Sequence, residues 1–258
     1  MRSLAIIPAR GGSKRVPGKN LCDVGGRTLL DRALDSAAPC ARVVVSSDDD
    51  NTLTIAASRG AATHKRYRNA DDAAALEPVI DDVLLDEQLD GYSLAIVLLQ
   101  PTSPFRTHEH VAHALALLAA SPHGCVVSVT HLHSLLPVFS GEVFDGSYYP
   151  RNTTGHRRPS SSLGHLAYEN GAIYAFTLDH WRRHGKRLDT AATALSMHWS
   201  EAVEIDTMSD LESARRMAGE RTAVAAWLRD PVRRSSMGAG PLWFDDVAAA
   251  IERGEHLK

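Results

Sequence analysis

Thirteen residues, Pro8-Ala9-Arg10-Gly11-Gly12-Ser13-Lys14-Arg15-Val16-Pro17-Gly18-Lys19-Asn20, follow directly on the apolar run Leu4–Ile7, and four of them are cationic. Glycines let backbone amides approach an anion closely, and flanking Lys and Arg neutralise it. On composition alone the run is either a solvated basic turn or a phosphate cradle, and its place at the carboxyl end of a strand favours a polyphosphate. A Walker loop needs four residues between its glycine and a Gly-Lys-Ser/Thr sequence. Here five residues separate Gly12 from Gly18, and Asn20 follows Lys19. The spaced glycines of a dinucleotide-binding turn are missing too, so neither loop type fits.

Other chemistry-bearing residues lie far along the chain. Glu204 and Asp206 alternate with apolar Val203 and Ile205, a pattern that predicts a strand over Ala202–Ile205 with both carboxylates on one face. They make either an ordinary polar strand face or a pair of hard oxygen ligands for Mg²⁺ (or Mn²⁺), which binds substrate phosphates as well. Gln100 ends the buried run Leu94–Leu99, where open α/β sheets gather ligands; the alternative is an amide that satisfies the Pro101 turn. Ser47 and Asp48 end the run Val43–Ser47 in the same way. His131, His133, His156 and His165 lack a metal-ligand spacing and are expected at the surface or facing substrate.

The elements that must position these groups alternate along the chain. Leu4–Ile7, Val43–Ser47, Leu94–Leu99 and Cys125–Val129 read as buried strands. Helical stripes run through Leu29, Leu30, Ala33, Leu34 and Ala37, and through Val79, Ile80, Val83 and Leu84. Thr107 can cap a further helix carrying Val111, Leu115 and Leu118. This order predicts an α/β fold with a mostly parallel central sheet flanked by helices. From Asp145 to Leu166 only Tyr148, Tyr149, Leu163 and Leu166 are hydrophobic, while Arg151, Arg157 and Arg158 are basic. That segment is expected to be a loop or an arm that orders on binding. Gly171–Phe176 resumes as a strand. Ser209 with Glu212 predicts a capping box, Gly219 a helix end, and beyond it lies a tail punctuated by Gly238-Ala239-Gly240-Pro241.

The chain's 258 residues, 44% hydrophobic and 23% charged, suit one large domain with a core and exclude a disordered chain or a disulfide miniature. A formal net charge of -3 excludes a surface basic all over, of the kind that binds nucleic acid. Cys22, Cys40 and Cys125 cannot all pair, and they show no redox or metal spacing. The apolar run near Met1 is too short for a signal-peptide core, and no stretch approaches a membrane span, so a cytoplasmic protein without membrane contact is expected.

Four stretches together resemble one family. Ile7–Lys14 with Pro17–Leu21, Leu99–Arg106, Tyr168–Tyr174, and Ile205–Thr207 with Asp210-Leu211 are similar, in this order, to the motifs of the acylneuraminate cytidylyltransferases, the CMP-sialic acid synthetases and their relatives. The resemblance implies a nucleotide-diphospho-sugar transferase-like fold over residues 1–130 and 171–218, a dimerisation and acceptor arm over 131–170, and an extra helical tail over 219–258. It implies attack by a hydroxyl of an acidic sugar on the α-phosphorus of CTP, with release of pyrophosphate, in a homodimer. By the same resemblance Arg10, Lys14 and Lys19 stabilise the reacting phosphates, and Ala9, Gly11, Gly12, Ser13, Asn20, Ser47, Asp48, Gln100 and Thr102 hold CTP. Gln100, Arg157, Arg158, Tyr168, Glu169 and Asn170 meet the acceptor, and Asp206 and Glu204 bind metal. Four departures concern the acceptor and the metal: His131–Val138 has no lysine, Pro159 stands where a glutamine is expected, Tyr168-Glu169 precede Asn170 where some members have an arginine, and Glu204 replaces an aspartate. A nonulosonic (sialic-like) acid is the expected acceptor; a phosphonate or a 3-deoxy-octulosonic acid, or an inactive CTP-binding module, are the alternatives.

Overall fold

The apolar runs become strands because each is buried on both faces, as central parallel strands require. A computed structural model describes residues 2–67, 75–87, 94–131, 141–144, 147–150, 167–189, 191–229, 247–249 and 251–252. In chain order its elements are β1 (Arg2–Pro8), β2 (Asp23–Val24), β3 (Arg27–Thr28), α1 (Leu29–Ser36), β4 (Arg42–Ser47), α2 (Asp50–Ser58), β5 (Ala62–Lys65), α3 (Glu77–Asp86) and β6 (Leu94–Leu99). Then follow α4 (His108–Ala120), β7 (Cys125–His131), β8 (Gly141–Phe144), β9 (Ser147–Pro150), β10 (Ala167–Thr177), α5 (Leu178–His184), β11 (Thr193–Ser196) and α6 (Met208–Arg229).

Seven strands form one sheet in the order β11-β7-β10-β6-β1-β4-β5. β1 pairs parallel with β4 and β6, β4 with β5, and β7 with β11. β10 alone runs antiparallel, between β6 and β7. Alternate side chains enter two cores. Ile7, Val97 and Leu99 pack with Leu30 and Ala33 of α1 and with Val111 and Leu118 of α4. Leu4, Ile6, Ile96 and Leu98 pack with Ile80 and Val83 of α3 and with Leu178 and Trp181 of α5. This is the mostly parallel, helix-flanked sheet that the alternation predicts. Its register sets Ile6 beside both Val44 and Leu98, so β1, β4 and β6 end at one edge.

A third cluster fastens the far end of the chain to that edge. Val16 of the basic loop, Val24 of β2, Phe105, Ile205 and Leu211 and Ala214 of α6 are all buried together. Burying side chains such as Ile205 and Leu211 is worth roughly 1.5–3 kcal/mol each, enough to hold Asp206 in place.

Several local expectations are corrected. Ala202–Ile205 is not a strand; it offers the sheet's loops one backbone bond, Ile205 N–H to the Thr102 carbonyl at 2.9 Å, and the edge strand is β11 instead. The cap of α6 is Thr207 with Asp210, not Ser209 with Glu212. Asp210 Oδ2 accepts from the Thr207 amide at 2.7 Å and the Thr207 hydroxyl at 2.8 Å. Gly219 does not end α6, because a solvated glycine between good helix formers lacks the means to break it; the helix continues to Arg229. Of the segment expected as a loop, Ser147–Pro150 pairs with β8. The rest of Asp145–Leu166, with Arg157 and Arg158, and the Gly238–Pro241 punctuation lie outside the described residues. Among the described residues no helix is long and apolar enough to cross a membrane.

The cap yields a prediction with a sign. Hydrogen bonds from Thr207 hold the Asp210 carboxyl below its ordinary pKa. Its stabilisation is therefore present above the unfolded value near 4 and is lost as pH falls through the lower folded value. Asp210→Asn is expected to cost about 1 kcal/mol in urea unfolding at pH 7, and the cost is expected to shrink as pH falls below about 4.

Candidate functional site

Where β1, β4 and β6 end, the basic loop folds back over the sheet. Gly11 is needed there by close approach, since a Cβ on it would sit 2.7 Å from Cβ of Asp49. Asp48 Oδ1 accepts the Gly11 amide at 2.7 Å, and Asn20 Nδ2 donates to the Arg10 carbonyl at 2.8 Å. These bonds shape a cleft of about 180 Å³ lined by Pro8, Arg10, Ser13, Lys19, Asn20, Arg66, Leu76, Val79, Gln100, Thr102, Glu204 and Asp206. Residues from opposite ends of the chain thus meet in one place.

Charge divides the cleft. Arg10, Lys19 and Arg66 are its cations, Glu204 and Asp206 its acids. Lys19 Nζ donates to the Ile205 carbonyl at 2.7 Å and to Asp206 Oδ1 at 3.2 Å, so the loop and the acidic segment are joined directly. Burial first, then the neighbouring charges of Asp206 and Asp210, push the Glu204 carboxyl above its ordinary pKa, while Lys19 opposes them. A carboxyl that resists ionising beside a second acid is one that a cation would relieve. Among the described residues no cluster of three or more His, Cys, Asp or Glu could hold a metal by itself.

Gln100 is held from two sides. Its Nε2 donates to the Gly171 carbonyl at 3.0 Å, and its backbone carbonyl accepts from Arg106 Nη1 at 2.9 Å. The same Arg106 nitrogen reaches the Ala172 carbonyl at 2.8 Å, and Nε reaches Ser36 Oγ of α1 at 3.0 Å. Burial pulls this guanidinium down to about 9, still charged at neutral pH. β10 slips register between Glu169 and Tyr174, and Gly171 sits in that irregularity at φ +73°. A Cβ there would lie 3.3 Å from Gln100 Nε2 and 3.4 Å from Glu204 Oε1. Gly171→Ala is therefore expected to destabilise the fold by about 1–2 kcal/mol through its left-handed backbone and to displace both side chains. Thermal melting checks the first effect and a crystal structure of the variant the second.

Not every residue singled out in the sequence reaches the cleft. Lys14 is exposed and is not among its lining residues. Ser47 is fully buried, with Oγ accepting the Asp49 amide at 3.0 Å, and the Ala9 amide is spent on the Ser46 carbonyl at 2.8 Å. Asp48 lines a neighbouring cavity with Arg10 and Asn20. Gly12 is exposed, and its carbonyl accepts from Arg10 Nη1 at 3.1 Å. Asn170 turns inward: Oδ1 accepts from Ser128 Oγ at 2.6 Å and the Ala172 amide at 3.1 Å, and Nδ2 donates to Thr130 Oγ1 at 3.1 Å. Its side chain is buried within the β10 irregularity and bonds there to Ser128, Thr130 and Ala172. Tyr168 is exposed, and Glu169 Oε2 accepts from the Tyr174 hydroxyl at 3.1 Å. The expected acceptor residues Arg157 and Arg158 lie outside the described residues.

Arg66 is the cleft residue that pattern reading misses. It follows a four-residue edge strand, β5, without apolar alternation, and only the parallel pairing of β5 with β4 brings it to the edge. Burial lowers its pKa to about 10, which leaves it protonated.

A sequence model described as Cytidylyltransferase matches residues 4–143. The CMP-N,N'-diacetyllegionaminic acid synthase of Legionella pneumophila is 37% identical over 123 residues, which cover 45% of this chain and 53% of that protein. The pseudaminic acid cytidylyltransferase of Campylobacter jejuni is 26% identical over 222 residues, covering 83% of this chain and 95% of that one. The matched region thus spans about half of the Legionella relative and nearly all of the Campylobacter one. A solved CMP:2-keto-3-deoxy-manno-octonic acid synthetase complexed with CTP superposes with a TM-score of 0.63 at 16% identity, covering 85% of this chain and 99% of that one. At that identity the likeness concerns the fold.

Proposed function

This chain belongs to the cytidylyltransferase family, and from that premise we propose that it transfers CMP from CTP to a nonulosonic acid, releasing pyrophosphate. One observation carries the reading: three cations and two carboxylates from distant parts of the chain share a single cleft at the carboxyl edge of a parallel sheet. Nucleotidyl transfer asks a protein mainly to position its substrates and to balance charge on the reacting phosphate. The acceptor hydroxyl oxygen forms a bond to the α-phosphorus, and the bond from that phosphorus to the oxygen bridging to the β-phosphate breaks. The electron pair leaves with pyrophosphate, and the hydroxyl proton passes to solvent.

Arg10, Lys19 and Arg66 take the phosphates and neutralise the leaving group, and Lys14 joins them from the exposed part of the loop. Ser13 and Asn20 hold the loop and the nucleotide at that wall. Gln100, fixed by Arg106 and Gly171, stands where nucleotide and acceptor meet. Glu204 and Asp206 offer hard oxygens that fit Mg²⁺ (or Mn²⁺), with phosphates and water completing the set as that ion prefers. When bound, the ion supplies Lewis-acid polarisation of the phosphate. The acceptor class follows from what the Legionella and Campylobacter relatives are named for. A homodimer whose arm, residues 131–170, serves the partner's cleft is part of the same proposal.

Label transfer tests it. With CTP labelled at the α-phosphorus, the label is expected in a CMP-sugar, and label at the γ-phosphorus in pyrophosphate. Release of CDP with inorganic phosphate would contradict the reading.

A further inference from the structure

Arg66 is buried, lines the cleft, and spends two guanidinium bonds on a single residue: Nε donates to Ser46 Oγ at 2.9 Å and Nη2 to the Ser46 carbonyl at 2.8 Å. Ser46 has no solvent exposure, and its hydroxyl also lies 2.8 Å from Nδ1 of His64, its cross-strand neighbour. His64 is 8% exposed, and its Nε2 faces Asp86 Oδ2, at the end of α3, at 3.4 Å. Donor and acceptor rules orient the whole chain. A guanidinium nitrogen can only donate, so Ser46 Oγ accepts from Arg66 and is free to give its own proton to His64 Nδ1. His64 then carries its proton on Nε2, pointing at the Asp86 carboxylate; the other tautomer would set a lone pair against that carboxylate.

We propose that Ser46, His64 and Asp86 form a relay of positioning residues that fixes the Arg66 guanidinium in the nucleotide cleft. The inference rests on the proposed function in one respect, that Arg66 contacts CTP. Asp86 ends α3 and is 70% exposed, while Leu76, just before α3, and Val79 in its first turn line the cleft. The relay therefore ties the edge strand β5 and helix α3 to one cation. A long, flexible side chain is costly to order, and each fixed hydrogen bond to a charged group restricts it before ligand arrives.

Calorimetric titration with CTP in the absence of acceptor tests the relay independently of acceptor identity. Ser46→Ala and His64→Leu are each expected to raise the CTP dissociation constant about tenfold, the loss of one charge-linked hydrogen bond network. His64→Asn, whose Oδ1 can stand where Nδ1 stood, is expected to recover most of the affinity. In an Arg66→Met background the His64→Leu change is expected to be silent, a result that general loosening of the fold would not give. Folded Ser46→Ala with unchanged CTP affinity, or losses that add in the double variant, would overturn the relay. Unchanged affinity in Arg66→Met would remove the role of Arg66 and the relay with it, while wild-type protein that binds no CTP would instead overturn the proposed function.

Discussion

Arg10→Met is expected to lower kcat by about 10²–10³, the usual loss when one preorganised donor to developing charge is removed. Arg10 lines the cleft immediately beyond β1, on the edge where β1, β4 and β6 end together. Its side chain donates to the Gly12 carbonyl two residues on, and the tie from Asn20 that shapes the loop goes to the Arg10 backbone carbonyl and survives the substitution. The melting temperature is therefore expected to stay near that of the wild type. Arg10→Lys should fall between, because an ammonium keeps the charge and loses the planar fork that grips phosphate at two points. Steady-state kinetics with CTP checks both, and an Arg10→Met enzyme of near wild-type turnover would remove this residue from the mechanism.

Asp206→Asn is expected to raise the Mg²⁺ concentration needed for half-maximal turnover at least tenfold and to lower kcat by about 10². Asp206 faces both chemical halves of the cleft: its Oδ1 meets Lys19 Nζ at 3.2 Å, and its charge is among the causes that raise the Glu204 carboxyl. Neutralising it leaves a single carboxylate for the cation and lets Glu204 return toward its ordinary pKa. The fold is expected to tolerate the change, since the firmest Lys19 bond, to the Ile205 carbonyl at 2.7 Å, is to backbone. A metal titration identical to the wild type would count against the carboxylate pair.

How far these groups could be read from the chain depends on what positions each one. The loop Pro8–Asn20 and Gln100 were legible because both follow uninterrupted apolar runs, and runs buried on both faces have one plausible fate. Glu204 and Asp206 were legible as a pair although Ala202–Ile205 is not a strand: both line the cleft, and the apolar Ile205 between them is anchored in the third core cluster. The inward turn of Asn170 is not legible in a motif, which names a residue without saying which way it points on an irregular strand; here its amide bonds to Ser128, Thr130 and Ala172. Arg66 and its relay were invisible, since Ser46, His64 and Asp86 become neighbours only through strand pairing and helix packing. Gly219 misled because glycine's intrinsic penalty of about 1 kcal/mol is too small to stop a helix that packs Leu211, Ala214 and Ala218.

Pyrophosphate release with CTP and Mg²⁺ tests the central claim most directly when N-acetylneuraminic, legionaminic and pseudaminic acids, a 3-deoxy-octulosonic acid and a hydroxyalkyl phosphonate are offered in turn. One pyrophosphate per CMP-sugar formed, with at least one of the first three acceptors and far less with the last two, is the predicted result. Tight CTP binding without pyrophosphate release from any acceptor would contradict it and make the chain a nucleotide-binding module.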